Sequence, residues 1–172
     1  MLKNPLVPAI IIVAVFVLVV IARSKKVRKA QYDERQLLAR NTAFRYSFFF
    51  LLFYCFACAV LQLCNVIWAP ISIQMFLGII LSFAIFIALC IIKDAYFSTS
   101  KKYNTNAVIF FFAYGIFNSV YLVNGLVNGK TFLENGQFSE LVLYAVAAVC
   151  LFVLGIFSVI KYTLENRGAE KQ

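Results

Sequence analysis

Five apolar runs, at residues 5–22, 44–67, 71–92, 107–123 and 141–160, constrain this chain more than any other feature. The first holds eighteen residues without a charge. About 20 predominantly apolar residues in a helix cross a hydrocarbon layer roughly 30 Å thick. A water-soluble alternative fails on composition. The chain of 172 residues is 63% hydrophobic and 13% charged, where an ordinary soluble domain has about 45–50% and roughly 25%. One core of this size could not hide so much apolar surface. A bilayer removes the difficulty by acting as the solvent, and 17% aromatic content suits lipid-facing and interfacial positions. The expected fold is all-α: a single polytopic transmembrane helix bundle over residues 1–172, with about five spans.

The first run could be mistaken for a cleaved signal peptide. Such a peptide needs a basic start, a shorter apolar centre and a small-residue cleavage site. Only Lys3 precedes the run, no A-x-A-like site closes it, and Arg23, Lys25, Lys26, Arg28 and Lys29 follow. Those cations resist translocation, so the run reads as an anchor. The second and third runs are separated by Trp68-Ala69-Pro70, a tight helical hairpin with Trp at interface depth and Pro starting the next helix. The fourth run is expected to stop at Asn124-Gly125. The fifth opens with Ser139 as N-cap and closes at Lys161.

Orientation follows from the cations. Eight Lys/Arg lie in residues 23–45, three in 93–106 and three more after residue 160, against only Lys3 and Lys130 on the other side. Positive charge gathers in cytoplasmic loops, so the N-terminus is expected outside and the C-terminus inside a plasma membrane. The net charge of +9 is then a topology and headgroup signal rather than a nucleic-acid footprint, because it sits in short loops between spans. The outer loop, residues 124–139, carries Asn-Gly at 124–125, 128–129 and 135–136. It reads as a turn-rich connector, with a small hairpin as the alternative.

The juxtamembrane segment at residues 23–43 is the most informative soluble stretch. Asp33-Glu34-Arg35-Gln36 could be read as an acid pair for catalysis. A capping box explains more of it: Asp33 accepts from the N–H of Gln36 and Gln36 reaches back. Tyr32 and Leu37 fill the hydrophobic-staple positions, and a helix should run from near Asp33 into the second span without a break.

This Asp-Glu-Arg-Gln motif, about ten residues before an aromatic-rich span, resembles one in small multi-pass membrane proteins of unassigned function, mainly from low-GC Gram-positive bacteria. The resemblance covers residues 32–50. It implies a bacterial plasma-membrane protein, and it supplies no catalytic residues.

Acidic or basic side chains inside a span usually mark ion paths or proton relays. All seven acids, Asp33, Glu34, Asp94, Glu134, Glu140, Glu165 and Glu170, lie in loops or tails, and the chain has no His. Proton-coupled transport would lack its usual carriers. The neutral residues Gln62, Asn65, Gln74 and Asn118 form the candidate intramembrane polar cluster. Gln62 and Gln74 are expected to hydrogen-bond across the tight turn, as structural glue or as part of an outer vestibule. Small residues at Gly78, Ala84/Ala88, Gly115/Ser119 and Gly155 point to close helix packing.

Cys55 and Cys58 form a Cys-x-x-Cys on one helix face. A thiol oxidoreductase is the sharpest chemical reading, but an active thiol needs a nearby cation or helix N-terminus, so apolar packing is expected instead. Without His, a His-containing metal site is excluded, and no phosphate loop or Ser/His/Asp set occurs. No cofactor is expected. The leading expectation is a non-enzymatic membrane protein acting through the lipid bilayer, its anionic headgroups, or a membrane-protein partner or homo-oligomer. Arg23, Lys25, Lys26, Arg28 and Lys29 are its candidate contact surface. A small permease or channel-like component built on the polar cluster is the alternative.

Overall fold

The structure, a computed structural model, describes residues 33–96 and 105–169. The first run, the cations Arg23, Lys25, Lys26, Arg28 and Lys29, and the staple residue Tyr32 lie outside the described residues. Four helices follow: α1 (Glu34–Leu63), α2 (Ile71–Ile92), α3 (Thr105–Val127) and α4 (Leu141–Ala169). Each is long and apolar enough to cross a membrane. A two-residue β-hairpin, β1 (Leu133–Glu134) and β2 (Gln137–Phe138), joins α3 to α4.

The expected unbroken helix into the second span is present, since α1 runs thirty residues from Glu34. Its start differs from expectation. Asp33 holds the extended cap conformation, yet its carboxylate makes no cap hydrogen bond. The Gln36 amide donates instead to the Asp94 carbonyl at 2.7 Å. An acceptor just past the end of α2 has drawn the Gln36 side chain away from the local capping box.

Helices α1, α2 and α3 end in the same way. The residues just past their ends, Asn65, Asp94 and Gly129, have positive φ (60°, 54° and 80°). At each end two backbone N–H groups turn back to the last-turn carbonyls. For α2 these are Ala95 to Cys90 at 2.8 Å and Asp94 to Ile91 at 3.3 Å, the paired bonds of a Schellman motif. Two boundaries move accordingly. The second span stops at Leu63 rather than residue 67, because Asn65 supplies the left-handed turn. The fourth passes through Asn124-Gly125 and stops at Asn128-Gly129. Gly125 is helical, and its missing side chain makes room for Leu141: a Cβ there would lie 2.4 Å from Leu141 Cδ2.

Asn135-Gly136 supplies the two positive-φ residues (53° and 78°) of a type I′ turn. The loop expected as a plain connector is therefore a hairpin, docked on the α1–α2 turn. The Phe138 N–H donates to the Trp68 carbonyl at 2.8 Å, and the two rings meet edge-on with centroids 6.0 Å apart. Ser139 serves the cap only in part. Its Oγ is 3.4 Å from the Leu141 nitrogen, while its hydroxyl donates to the Thr131 carbonyl at 2.6 Å.

The principal helix contacts run in the order α1, α2, α4, α3. At the hairpin end Ala69, Ile73 and Leu77 pack with Tyr54, Trp68 and Val146. At the opposite end, the lysine end, Ile91, Phe111 and Leu154 pack with Ile87, Tyr96 and Leu151. Glycines set the spacing, as the small-residue pattern suggested. Gly78 lies under the Tyr54 ring, Gly115 under Phe152 and Gly155 under Phe112. The last two form a reciprocal lock between α3 and α4.

Candidate functional site

The expected intramembrane polar cluster does not assemble. Gln74 is buried at 3% exposure, and its amide donates to the Ala69 carbonyl at 2.7 Å. Gln62 is exposed on the last turn of α1, so the expected Gln62–Gln74 bond is absent. The physical reason is the turn itself. The first residues of α2 leave the Ala69 carbonyl turned inward in a fully buried residue, and Gln74 is the donor in reach. Asn65 is spent on the α1 stop. Asn118 bonds within its own helix, donating to the Tyr114 carbonyl at 2.8 Å.

The other polar groups within the spans behave likewise. Ser47 donates to the Phe44 carbonyl, Ser119 to Gly115 and Ser158 to Leu154. Ser82 of α2 donates across to the Ser47 carbonyl of α1 at 3.0 Å. Tyr54 of α1 donates to the Gln74 carbonyl at 2.9 Å. Each of these bonds satisfies a donor inside the protein, as a low-dielectric surrounding demands. None of them lines a path.

A polar cluster that sequence reading missed lies at the lysine end. Lys161 of α4 forms an ion pair with Asp94, and its ammonium also donates to the carbonyls of Ile91 at 2.8 Å and Ile92 at 2.7 Å. Gln36 of α1 bonds to Asp94 from the other side. Three helices thus meet on the C-terminus of α2. The cation suits the negative end of that helix dipole and covers two carbonyls of its last turn. Lys161 does not close its helix, which continues to Ala169. The signal available beforehand was a lone acid after the third run and a lone Lys after the fifth, opposite charges at matching depths.

At the hairpin end Lys130 and Glu140 pair at the surface. The hydrogen bond it donates to Glu140 holds the Lys130 ammonium above its ordinary pKa.

The cysteines are all free thiols. Cys58 is buried and Cys55 half-buried in mid-helix, and among the described residues no group of three or more Cys, Asp or Glu could hold a metal ion. Among the described residues, apolar grooves open on the helix faces. One of about 280 Å³ lies between α1 and α2 beside Ser47, Phe48, Leu51 and Ser82. Another of about 490 Å³ lies along α3, lined by Ile116, Val120, Val123 and Phe152 among others. Compared with known proteins, the chain matches no family model, no curated protein and no solved structure.

Proposed function

We propose that this chain is a non-enzymatic, multi-pass component of a bacterial plasma membrane that acts through contacts with anionic lipid or with a membrane partner. The first run supplies a fifth span, with the N-terminus outside and the lysine end facing the cytoplasm. One observation carries the reading: Gln74, Ser47, Ser82, Ser119, Asn118 and Ser158 are spent on carbonyls of the chain itself, at Ala69, Phe44, Ser47, Gly115, Tyr114 and Leu154. A permease needs polar groups converging on a continuous path, and these do not converge. What is left for function is the outside of the helix row and the basic flank.

Arg23, Lys25, Lys26, Arg28 and Lys29 are the lipid-contact candidates. Each cation near an anionic leaflet contributes about 1 kcal/mol, so five give selective retention of acidic lipid. The test is native mass spectrometry of the full chain released from bilayers of mixed charge. Anionic lipid should be retained, and replacing the five cations with Gln should abolish its preference over neutral lipid. Equal retention of neutral and anionic lipid by the unaltered chain would sink the lipid arm of the proposal.

A further inference from the structure

Among the described helices α3 stands at one edge of the row, with α4 as its principal neighbour. On its packed face Phe111 meets Leu154 and Gly115 meets Phe152 of α4. Among the described residues a different stripe is left open. Phe110, Tyr114, Phe117 and Tyr121 are 53%, 51%, 55% and 47% exposed. Their rings form a continuous ladder, with successive centroids 4.5, 6.2 and 4.7 Å apart. Tyr121 then stacks on Tyr144 of α4 at 5.6 Å, which fixes the top of the ladder.

The spacing of four, three and four residues is the seam of a left-handed helix pair. Continued by the same steps it reaches Asn124 and Asn128, whose side chains bond to each other at 3.2 Å. Lipid alone suits this stripe badly. Tyr114 lies two residues from the middle of α3, so about 3 Å from the centre of a layer roughly 30 Å thick. Among the described residues its hydroxyl has no hydrogen-bond partner, and hydrocarbon offers none. The other edge helix makes the contrast. The exposed mid-helix rings of α1, Phe49, Phe53 and Phe56, are pure hydrocarbon and are at home against acyl chains.

We propose that the Phe110–Tyr114–Phe117–Tyr121 stripe of α3 is the interface between two copies of this chain. Copies inserted in one membrane share an orientation, so a two-fold axis along the membrane normal sets α3 parallel to its counterpart. Each seam residue then faces itself. Tyr114 meets Tyr114, and a phenol both donates and accepts, so two orphan hydroxyls satisfy each other. Asn124 meets Asn124, a pairing that fixes register and parallel direction in such seams. A full aromatic side chain offers roughly 150–250 Å², so four half-exposed rings leave about 400 Å² per copy. With the exposed Asn124 and Asn128 continuing the stripe, the pair buries about 1,000 Å², the lower bound of a specific interface. The proposal deepens the contact reading by naming one partner. It uses a surface separate from the basic flank, so anionic-lipid retention and dimer formation can fail independently.

Cysteine scanning along α3 in native membranes tests it. The five natural cysteines are replaced by Ala, single cysteines are introduced one at a time, and a short bifunctional maleimide is added. Cross-linked dimer is expected from Phe110→Cys, Phe117→Cys and Asn124→Cys, and not from Ile109→Cys, Ile116→Cys or Val123→Cys on the other side of the helix. A flat profile, a maximum on the Ile116 side, or adducts containing a different protein would each overturn the proposal. A second measurement uses single-molecule counting in vesicles of increasing dilution. Tyr114→Phe removes only the hydroxyl and should weaken the dimer about threefold, the size of an ordinary interhelical bond in lipid. Phe117→Ala should weaken it further, and an unchanged monomer–dimer balance in both variants counts against the seam.

Discussion

The two ends of the helix row are closed by different chemistry. At the hairpin end the ties are short uncharged bonds and ring contacts: Phe138 on Trp68, Gln74 on Ala69, Gly78 beneath Tyr54. Ala69 there is fully buried. At the lysine end the tie is a charge. Lys161 spans Asp94 and two carbonyls, with Asp94 63% exposed. The same helix, α2, is thus held at its start by packing and at its finish by an ammonium on its dipole. Packing of the first kind resists change in the solvent, whereas the second kind is screened by salt. The hairpin end should therefore set the stability of the bundle, and the lysine end should tune it.

The largest effect expected is at Gly78. A Cβ there would lie 2.6 Å from the Tyr54 ring, and the ring is pinned by its bond to the Gln74 carbonyl. Gly78→Val should cost about 3 kcal/mol, the upper range for overpacking, read as a fall in thermal midpoint in detergent. Next comes Gln74→Leu, which keeps the bulk and strands the Ala69 carbonyl. Its expected cost is about 2 kcal/mol, with no dependence on salt. If its loss instead shrank as salt was added, the contrast between the two ends would break.

Lys161→Gln should cost about 1 kcal/mol in dilute buffer, discounted because Asp94 is exposed, and clearly less at high salt. A salt-independent loss would mean that Lys161 acts through its alkyl chain rather than its charge. The smallest effect belongs to Lys130. Its pKa is raised in the folded chain by the hydrogen bond with Glu140. The stabilisation is therefore present in full below the ordinary lysine value and disappears as pH rises through the raised one. Thermal midpoints of the unaltered chain and Glu140→Gln should differ slightly at neutral pH and converge in strong alkali.

Several elements were legible before the structure, each for a local reason. The third run reproduces α2 at both ends, because Pro70 starts a helix and the left-handed turn at Asp94 stops it. The unbroken α1 follows from the absence of any breaker between Asp33 and Leu63. Where reading failed, a distant group had intervened. Asn124-Gly125 looked like a stop because Gly tolerates positive φ, but its purpose is to admit Leu141, which lies sixteen positions onward. Gln36 suited a capping box, but its side-chain amide turns instead to donate to the distant Asp94 carbonyl. Gln62 and Gln74 were matched by depth alone, and depth says nothing about which way a side chain turns.

By itself the sequence determined that long helices would form and where most of them begin. Run length, charge-free stretches and turn residues act within a few positions of the backbone. The order α1, α2, α4, α3, the glycine-and-ring lock between α3 and α4, and the Lys161 tie were decided only in three dimensions. In apolar surroundings nearly every helix face is greasy enough to pack. The choice of neighbour therefore falls to shape and to the few donors that must find a carbonyl, and those pairings exist only once the helices are side by side.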